Sequence, residues 1–372
     1  MKIVLTTNHP LYLSTRYNLV NGLKQKGFEI VIFAPFSLFD RKMKERLVDL
    51  FKCECVDYPL NVHGKNPFYD IKTLIYLYRK YRLVSPDYVL NFTIKPNIYS
   101  TIAAKLLGIK AINNITGLGP VFTTNSFSSI IGRYLYFFSQ IFSYRIFFQN
   151  PDDLKLFVDS KLVKCGKCGL IPGSGVDIEK YTYEPLPHIN DSFKFTYIGK
   201  LYKDKGFYEL VDAVKLLKEK GLIFEMNIVG PFIKRKDDVI TEAEVKELES
   251  KSIIKYWGEQ EDVIPFLKNT HCVVLPSYRE GTPRSLLEAA SIGRPLIATN
   301  VPGCNRVVED NYNGYLCEVK SSKSLCEVME KMINSPYEVL NKLGKSSRVK
   351  IEKEFDDRIV LEKYILVLSN NL

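Results

Sequence analysis

Residues 272–290 read Cys272-Val-Val-Leu-Pro-Ser-Tyr-Arg-Glu-Gly-Thr-Pro-Arg-Ser-Leu-Leu-Glu-Ala-Ala290 and predict the architecture of the chain. The first four residues are apolar and partly β-branched, which is typical of a buried parallel strand. Residues 276–281 break that pattern, and Thr282 then offers a predicted N-cap oxygen with Pro283 in the first helical turn. The apolar spacing that follows predicts a helix packed on a sheet. The stretch therefore predicts a strand, a loop and a helix N-terminus at a sheet edge.

A helix N-terminus at such an edge is a favourable site for an anion, because its first N–H groups lack acceptors within the helix. Glu280 lies in the loop before the helix, and Glu288 lies about one and a half turns into it. Carboxylates are poor partners for phosphate but good acceptors for sugar hydroxyls. The combination indicates a ligand with a sugar, a diphosphate and a ribose, although a surface glutamate and a helix-face glutamate give the same spacing.

Strand and helix patterns alternate along the whole chain, which predicts an α/β fold with doubly wound parallel sheets. The first seven predicted strands are Ile3–Thr7, Glu29–Ala34, Cys53–Tyr58, Tyr88–Thr93, Ala111–Thr116, Arg145–Gln149 and Gly169–Pro172. The next five are Phe193–Ile198, Phe224–Val229, Ile253–Trp257, Cys272–Leu275 and Leu296–Thr299. Predicted helices between the later strands cover 206–219, 241–250, 262–268 and 283–292. Ligands of such sheets bind at the carboxyl ends of the strands.

The length of 372 residues predicts two domains of similar size. A polar, proline-containing segment at 181–192 is the predicted linker, which gives an N-terminal domain at 1–185 and a second domain at 186–354. Residues 355–372 have a helical pattern. Each domain should therefore carry its own sheet and its own core.

The net positive charge comes entirely from the first half of the chain. Residues 1–190 carry 24 Lys and Arg against 14 Asp and Glu, whereas residues 191–372 carry 28 of each. No nucleic-acid-binding motif accompanies this charge, so the expected partner is an anionic membrane face rather than nucleic acid. Cys165-Gly-Lys-Cys168 is a lone pair without zinc spacing, which favours reduced thiols in a cytoplasmic protein. Residues 1–7 are too short an apolar stretch for a signal peptide.

Residues 276–289 resemble the E-x7-E signature of the retaining family 4 glycosyltransferases, which have the GT-B fold. The resemblance extends to Asn113–Gly119, Gln149–Asp153, Pro172–Asp177, Gly199–Leu201, Asp204–Gly206 and Asn300–Cys304. It is greatest for the bacterial subgroup that builds O-antigen, capsule or other oligosaccharides on polyprenyl diphosphate. The resemblance implies two Rossmann-like domains that face a central cleft, with residues 355–372 crossing back to the first domain.

Lys200 and Lys205 follow predicted strand ends, where they could clamp a diphosphate and neutralise a departing nucleotide. A pair of unrelated surface lysines is the alternative. The resemblance implies that Glu280 holds the sugar hydroxyls and acts with both lysines in catalysis. It also places Leu287 and Glu288 at the nucleoside, with Glu288 accepting from ribose. The remaining implied donor contacts are Gly199, Gly230, Gly258, Val263, Gly281, Thr282 and Pro283. Both glutamates should be connected to solvent when the site is empty.

The acceptor is expected at strand ends of the first domain. Candidates are His9, Lys95, Thr116, Gly117 and Gly119. The two glycines could supply positive φ or a close backbone approach, or form an ordinary turn. Lys95 could bind an acceptor phosphate or remain solvated, and no catalytic histidine is assigned.

Residues 126–148 are rich in aromatic side chains and contain two arginines, which argues against a membrane-spanning helix. Two interpretations stay open for this aromatic segment: a core helix leading into a strand, or a patch lying in lipid headgroups. No D-x-D motif occurs, so neither a metal nor another cofactor is expected.

The sequence therefore predicts a retaining hexosyltransferase at the inner face of the bacterial plasma membrane. Its donor would be a UDP-hexose or UDP-N-acetylhexosamine, and its acceptor a polyprenyl-diphosphate-linked saccharide of a surface polysaccharide. A sugar-nucleotide epimerase with the same two-domain plan is one alternative. A non-catalytic binding subunit of a membrane assembly complex is the other.

Overall fold

A computed structural model describes residues 1–62, 66–117, 127–232 and 240–369. The chain divides into two compact units. The first unit comprises Met1–Gly175 and Asp357–Leu372, and the second comprises Val176–Asp356. In the described ranges, no helix combines the length and apolar composition needed to cross a bilayer.

The first unit contains a seven-stranded parallel sheet in the order β3-β2-β1-β4-β5-β6-β7. Its strands are β1 Lys2–Thr7, β2 Glu29–Ala34, β3 Glu54–Asp57, β4 Tyr88–Phe92, β5 Lys110–Ile115, β6 Arg145–Phe148 and β7 Cys168–Leu170. Its described helices are α1 Leu11–Ser14, α2 Tyr17–Gln25, α3 Arg41–Phe51, α4 Pro67–Val84, α5 Ile94–Leu106, α6 Phe127–Ile141 and α7 Pro151–Asp159, with α15 Asp357–Ser369 at the end of the chain. From β1 the chain continues to β2 in one direction along the sheet, and from β4 it continues to β5 in the other direction. The strand order therefore reverses between β1 and β4.

The second unit repeats this plan with a six-stranded parallel sheet in the order β10-β9-β8-β11-β12-β13. Its strands are β8 Phe193–Ile198, β9 Phe224–Val229, β10 Lys255–Tyr256, β11 Cys272–Leu275, β12 Leu296–Thr299 and β13 Gly314–Cys317. Its described helices are α8 Phe207–Glu219, α9 Glu242–Ser250, α10 Ile264–Lys268, α11 Arg284–Ile292, α12 Cys304–Val307, α13 Ser322–Ile333 and α14 Tyr337–Glu354. Here the order reverses between β8 and β11. The predicted doubly wound α/β class is confirmed.

The second unit begins earlier than the predicted boundary at 185/186, because two arginines fasten the preceding segment to it. Arg348 donates to the carbonyls of Ile178 and Tyr181. Arg294, fully buried, donates to Glu184 O at 2.5 Å and to Pro185 O at 2.9 Å. Residues 176–185 therefore belong to the second unit. The boundaries between the units along the chain are at 175/176 and 356/357, rather than at 185/186 and 354/355.

Helix α15 packs into the core of the first unit. Val360, Tyr364 and Leu368 are buried there. The hydroxyl of Tyr364 accepts from Asn114 Nδ2 on β5 at 3.1 Å. Gly22 on α2 makes room for this helix, since a Cβ there would lie 2.2 Å from Leu361. The last helix is thus an integral part of the first unit.

Candidate active site

Both predicted donor-binding segments lie at one edge of the second sheet. Residues 199–206 follow β8 and residues 276–283 follow β11, and these strands are parallel neighbours. Their carboxyl ends form the point at which the strand order reverses, which is where open α/β sheets bind ligands. We refer to this place as the β8–β11 edge.

The two segments contact each other directly. The backbone N–H of Tyr278 donates to Asp204 O at 2.8 Å. Gly206 has φ +72°, and a Cβ there would lie 2.0 Å from Pro276 O. Only glycine accommodates both the positive φ and this close approach. The short turn Lys203–Lys205 is thereby held against the loop that follows β11.

This contact brings Lys205 and Glu280 together in an ion pair between Nζ and Oε1. The two side chains are only 18% and 13% exposed. Burial alone would lower the pKa of Lys205, but the Glu280 carboxylate outweighs it and holds that pKa above its ordinary value. Lys205 is therefore a charged, largely desolvated ammonium group at the β8–β11 edge. Glu280 remains 13% exposed and so keeps a connection to solvent, while Lys205 holds its carboxylate.

Two protonated groups beside Glu280 were not predicted from the sequence. Burial raises the pKa of Tyr197 and of Cys304, and the Glu280 charge raises both further. The Tyr197 hydroxyl also donates to Lys200 O at 2.9 Å, which fixes the backbone after β8. The side chain of Lys200 itself is exposed. Lys205 therefore lies in the buried pair, whereas Lys200 projects into solvent.

The segment after β12 supports the other side of Glu280. The backbone N–H of Glu280 donates to Pro302 O at 3.3 Å. Gly303 has φ +87°, and a Cβ there would lie 2.5 Å from both Glu280 O and Gly281 O. Gly303 therefore sets how closely the β12 segment can approach the Glu280–Gly281 backbone.

Glu288 lies in a separate polar cluster on α11. Arg284 contacts its Oε1 at 2.5 Å, and the Tyr181 hydroxyl is hydrogen-bonded to it. Burial raises the pKa of Tyr181, and Glu288 raises it further, so the phenol stays a donor. Glu288 is only 7% exposed, so the expected connection to solvent is corrected for this carboxylate. The sequence analysis predicted neither Arg284 nor Tyr181 as a partner of Glu288. Tyr181 was missed because it falls in the segment assigned to the linker.

Two further expectations on α11 change. The helix begins at Arg284 with Pro283 as N-cap, so the predicted N-cap at Thr282 is wrong. Pro283 has an extended conformation, φ −74° and ψ 117°, and its carbonyl accepts from the Leu287 N–H at 3.2 Å. Leu287 is 0% exposed in the core, so its side chain offers no surface to a nucleoside.

The predicted glycines at the neighbouring strand ends form a backbone ladder. Gly199 N–H donates to Val229 O at 2.9 Å, and Gly230 N–H donates to Gly258 O at 2.8 Å. Gly230 has φ +147°, and a Cβ there would lie 1.9 Å from Gly199 O. Val263 is the N-cap of α10, just beyond Gly258. The strand ends of β8, β9 and β10 are therefore joined side by side.

Family models account for most of the chain. Residues 2–150 match the model described as "Glycosyl transferase 4-like", and residues 183–350 match "Glycosyl transferases group 1". The chain belongs to the glycosyltransferases, since the two matches together cover both of its units. The β8–β11 edge lies within the second of these matches.

Two curated relatives are similar to this glycosyltransferase over most of their length. One is the N,N'-diacetylbacillosaminyl-diphospho-undecaprenol alpha-1,3-N-acetylgalactosaminyltransferase of Campylobacter jejuni, 22% identical over 94% of this chain and 93% of the relative. The other is the UDP-Gal:alpha-D-GlcNAc-diphosphoundecaprenol alpha-1,3-galactosyltransferase of Escherichia coli, 28% identical over 77% and 76%. The predicted resemblance to glycosyltransferases is confirmed, and both of these relatives are named for transfer to diphospho-undecaprenol-linked sugars.

A solved structure gives the fold. The crystal structure of Anabaena HepE in complex with UDP and glucose superimposes with a TM-score of 0.80 over 100% of both chains, at 14% identity. The glycosyltransferase therefore has the GT-B fold, as predicted.

The predicted acceptor residues lie at strand ends of the first unit. Lys95 pairs with Asp70 at 2.7 Å, with both side chains largely buried, so its ammonium is already engaged. His9 Nδ1 accepts from the Leu11 N–H at 3.2 Å. Gly117 follows Thr116 at the end of β5 with φ +123°, so the predicted positive φ is confirmed. Gly119 lies outside the described residues.

Thr93, directly after β4, has a backbone conformation that the sequence does not indicate. It combines φ +77° with ψ 165°, a region that glycine occupies readily and a β-branched residue does not. Such a conformation costs about 1–3 kcal/mol and clusters at ligand sites. It lies at the strand-order reversal of the first sheet, on the side where the acceptor residues were predicted.

Proposed function

We propose that this glycosyltransferase moves a hexose or N-acetylhexosamine from a UDP-sugar to a polyprenyl-diphosphate-linked saccharide, with retention of configuration. The product would be a lipid-linked intermediate of a surface polysaccharide. The protein would work as a peripheral enzyme at the cytoplasmic membrane face. The observation that carries this proposal is the Lys205–Glu280 pair at the β8–β11 edge.

The proposed donor contacts divide the UDP-sugar among three parts of this edge. The N-terminus of α11 and the ammonium of Lys205 receive the diphosphate, with exposed Lys200 as a second cation. Glu280 accepts hydrogen bonds from the sugar hydroxyls. Glu288, already held by Tyr181 and Arg284, accepts from the ribose. When Glu280 binds the sugar, it no longer balances the positive charge of Lys205. The bound diphosphate then supplies the negative charge beside this ammonium.

The proposed transfer proceeds on one face of the sugar. The bond between the anomeric carbon and the diphosphate oxygen breaks, and the acceptor hydroxyl oxygen forms the new bond on the same face. The departing diphosphate takes the acceptor proton, so UDP leaves and charge balances. Lys205 and the α11 N-terminus stabilise the charge that develops on the leaving group. We assign no metal to this step, because these two groups already supply positive charge.

The names of the relatives support the substrate class. Both act on diphospho-undecaprenol-linked acceptors and are named for alpha linkages. Alpha transfer from an alpha-linked nucleotide sugar is retention. Donors named or implied there are galactose and N-acetylgalactosamine, so UDP-GalNAc and UDP-Gal are the first donors to test.

The test is UDP release from purified protein with UDP-GalNAc, UDP-Gal, UDP-GlcNAc or UDP-Glc, with and without a polyprenyl-diphosphate-linked monosaccharide. We expect release with one or two donors and only when the acceptor is present. The anomeric coupling constant of the product, measured by NMR, should be that of an alpha linkage. The Glu280→Ala variant serves as the inactive control.

The alternatives give different results in the same assay. An epimerase would act on the UDP-sugar without any acceptor and would return an epimeric sugar. A binding subunit would bind UDP without releasing it from any donor. A beta-linked product would overturn retention while leaving glycosyl transfer intact.

A further inference from the structure

Helix α6 is held in one rotational orientation by buried polar contacts. Asn113 on β5 donates to Gln140 Oε1 at 2.9 Å and to Ser143 Oγ at 2.8 Å. Asn97 on α5 donates to the Tyr136 hydroxyl at 3.1 Å. An unpaired buried amide would cost about 1–3 kcal/mol, so the face with Tyr136 and Gln140 is fixed towards the sheet.

The opposite face of α6 is apolar and exposed. Six residues with exposures between 40% and 70% form it: Ile130, Ile131, Tyr134, Leu135, Phe138 and Ile141. They recur at helical spacing on one side of the helix. One face of the aromatic segment therefore packs in the core, as the first interpretation predicts, whereas the other face is exposed. A contiguous exposed apolar face marks an interaction surface rather than an ordinary protein surface.

The sequence segment that carries this face has no acidic residue. No Asp or Glu occurs between Asp87 and Asp152, and Arg133 is the only charged residue of α6. A stretch of that length without an acidic residue is unusual in a chain in which a quarter of the residues are charged. The face is therefore apolar at its centre, and α6 itself contributes no anionic group to it.

Three lysines gather at the C-terminal end of α6. Lys167 Nζ donates to Ile141 O at 2.9 Å. Its pKa is lowered by burial and by the nearby charges of Lys164 and Lys105. Within the described ranges, none of the three has an acidic partner at ion-pair distance. A cluster of cations beside an apolar helix face fits a surface that presents negative charge above hydrocarbon.

We propose that this face of α6, with Lys105, Lys164 and Lys167, docks on an anionic lipid bilayer. The apolar side chains enter the boundary between headgroups and acyl chains, and the lysines contact headgroup phosphates. A second copy of the chain fits less well, because a symmetric contact would bring both lysine clusters together. The proposal rests on the proposed function only for its purpose, which is to bring the enzyme to a lipid-linked acceptor.

The test is flotation of the full-length protein with vesicles, without any sugar nucleotide, so that it does not depend on the proposed reaction. Vesicles of phosphatidylcholine alone are compared with vesicles containing about 30% phosphatidylglycerol. We expect binding to the anionic vesicles and weak binding to the neutral ones. Phe138→Asp should lower the partition coefficient about tenfold or more. Lys164→Gln with Lys167→Gln should lower it about 25-fold, since each lysine near the surface contributes about fivefold.

Matched controls are Ile223→Asp, at a residue 78% exposed in the second unit, and Lys246→Gln on α9. Neither should change binding. Phe138→Ser replaces the aspartate variant if the latter unfolds, as judged by circular dichroism. Equal binding to neutral and anionic vesicles, or none to either, would overturn the proposal. A concentration-dependent dimer abolished by Phe138→Asp, without vesicle binding, would assign the face to a second copy.

Discussion

At the level of single residues, the site depends on a charged pair that is mostly removed from water. Desolvating two charges is costly, and a buried pair is kept only when each partner compensates the other. Lys205 and Glu280 are about equally buried; Gly206 follows Lys205, and Gly303 packs closely against the Glu280 backbone. Replacing one partner therefore leaves the other charged and uncompensated.

This argument predicts a strong coupling between Glu280→Ala and Lys205→Ala. Each single change should lower the free energy of unfolding by about 2–3 kcal/mol, at the lower end for a buried pair because water still reaches it. The double variant should lose clearly less than the sum, as measured by urea unfolding. Transfer activity should fall by about 100-fold or more in each single variant. Additive losses in stability would mean that the pair is not formed in solution.

The same pair predicts that the contribution of Lys205 to the free energy of unfolding is independent of pH over the neutral range. Because the pKa of Lys205 in the folded protein is raised, its contribution is present below the unfolded value of about 10.4. This contribution to stability is lost only as the pH rises through the pKa of Lys205 in the folded protein, which is the higher of the two pKa values. The stability difference between the wild type and Lys205→Met should therefore be constant between about pH 6 and pH 9. A difference that shrinks within this range would contradict the raised pKa.

A second residue-level prediction concerns Gly303. An alanine there meets both a positive φ and two carbonyl oxygens at 2.5 Å. Gly221 is a matched control, because it has φ +77° but a Cβ added there would have no neighbour within 4 Å. Gly221→Ala should cost about 1 kcal/mol from the backbone alone, whereas Gly303→Ala should cost about 2–4 kcal/mol. Only Gly303→Ala should also weaken UDP binding, as measured by calorimetry. Equal effects of the two variants would remove the steric role of Gly303.

At the level of elements, the strands of the second sheet were largely predictable. The predicted bounds of β8, β9, β11 and β12 are those observed, because each is a compact apolar run between turn signals. The strand β13 was missed. It begins at Gly314, where a Cβ would lie 1.9 Å from Leu296 O, so its glycine is required by the approach of β12. A requirement of that kind arises from tertiary packing and leaves no local pattern.

The partners of the site residues were the part that could not be predicted. Lys205 and Glu280 were each proposed from strand-end positions, but their ion pair depends on how two loops fit together. Likewise, Tyr181 reaches Glu288 only because Arg348 fastens the preceding segment to the second unit. Strand-end positions follow from hydrophobic periodicity, whereas contacts between distant segments follow from packing.

Helix α15 provides a prediction at this scale. Tyr364→Phe removes the acceptor for Asn114 Nδ2 and leaves a buried amide donor without that partner. The expected loss is about 1–3 kcal/mol in the free energy of unfolding of the first unit. Tyr134→Phe is the control, because its side chain is 70% exposed and the change should stay within about 0.5 kcal/mol. If the two substitutions had equal effects, the hydroxyl of Tyr364 would contribute nothing to the docking of α15.

At the level of the whole molecule, the chain builds two α/β units, each with its own parallel sheet and apolar core. The net positive charge comes from the first half of the chain, and the paired site residues lie in the second unit. This separation agrees with the proposed function, in which the first unit binds the lipid-linked acceptor and the second unit binds the nucleotide.

The division predicts that UDP stabilises one unit only. A ligand that binds the folded form at 100 times its dissociation constant adds about 2.7 kcal/mol to stability. In scanning calorimetry, UDP should therefore raise the midpoint temperature of the unfolding transition of the second unit, which is the transition that Gly303→Ala lowers. The midpoint of the first unit's transition, which Tyr364→Phe lowers, should not change. The rise should persist in EDTA, because lysine and a helix N-terminus are the proposed phosphate partners. A rise that requires added Mg²⁺ or Mn²⁺ would refute metal independence, and a rise confined to the Tyr364→Phe transition would move the donor site to the first unit.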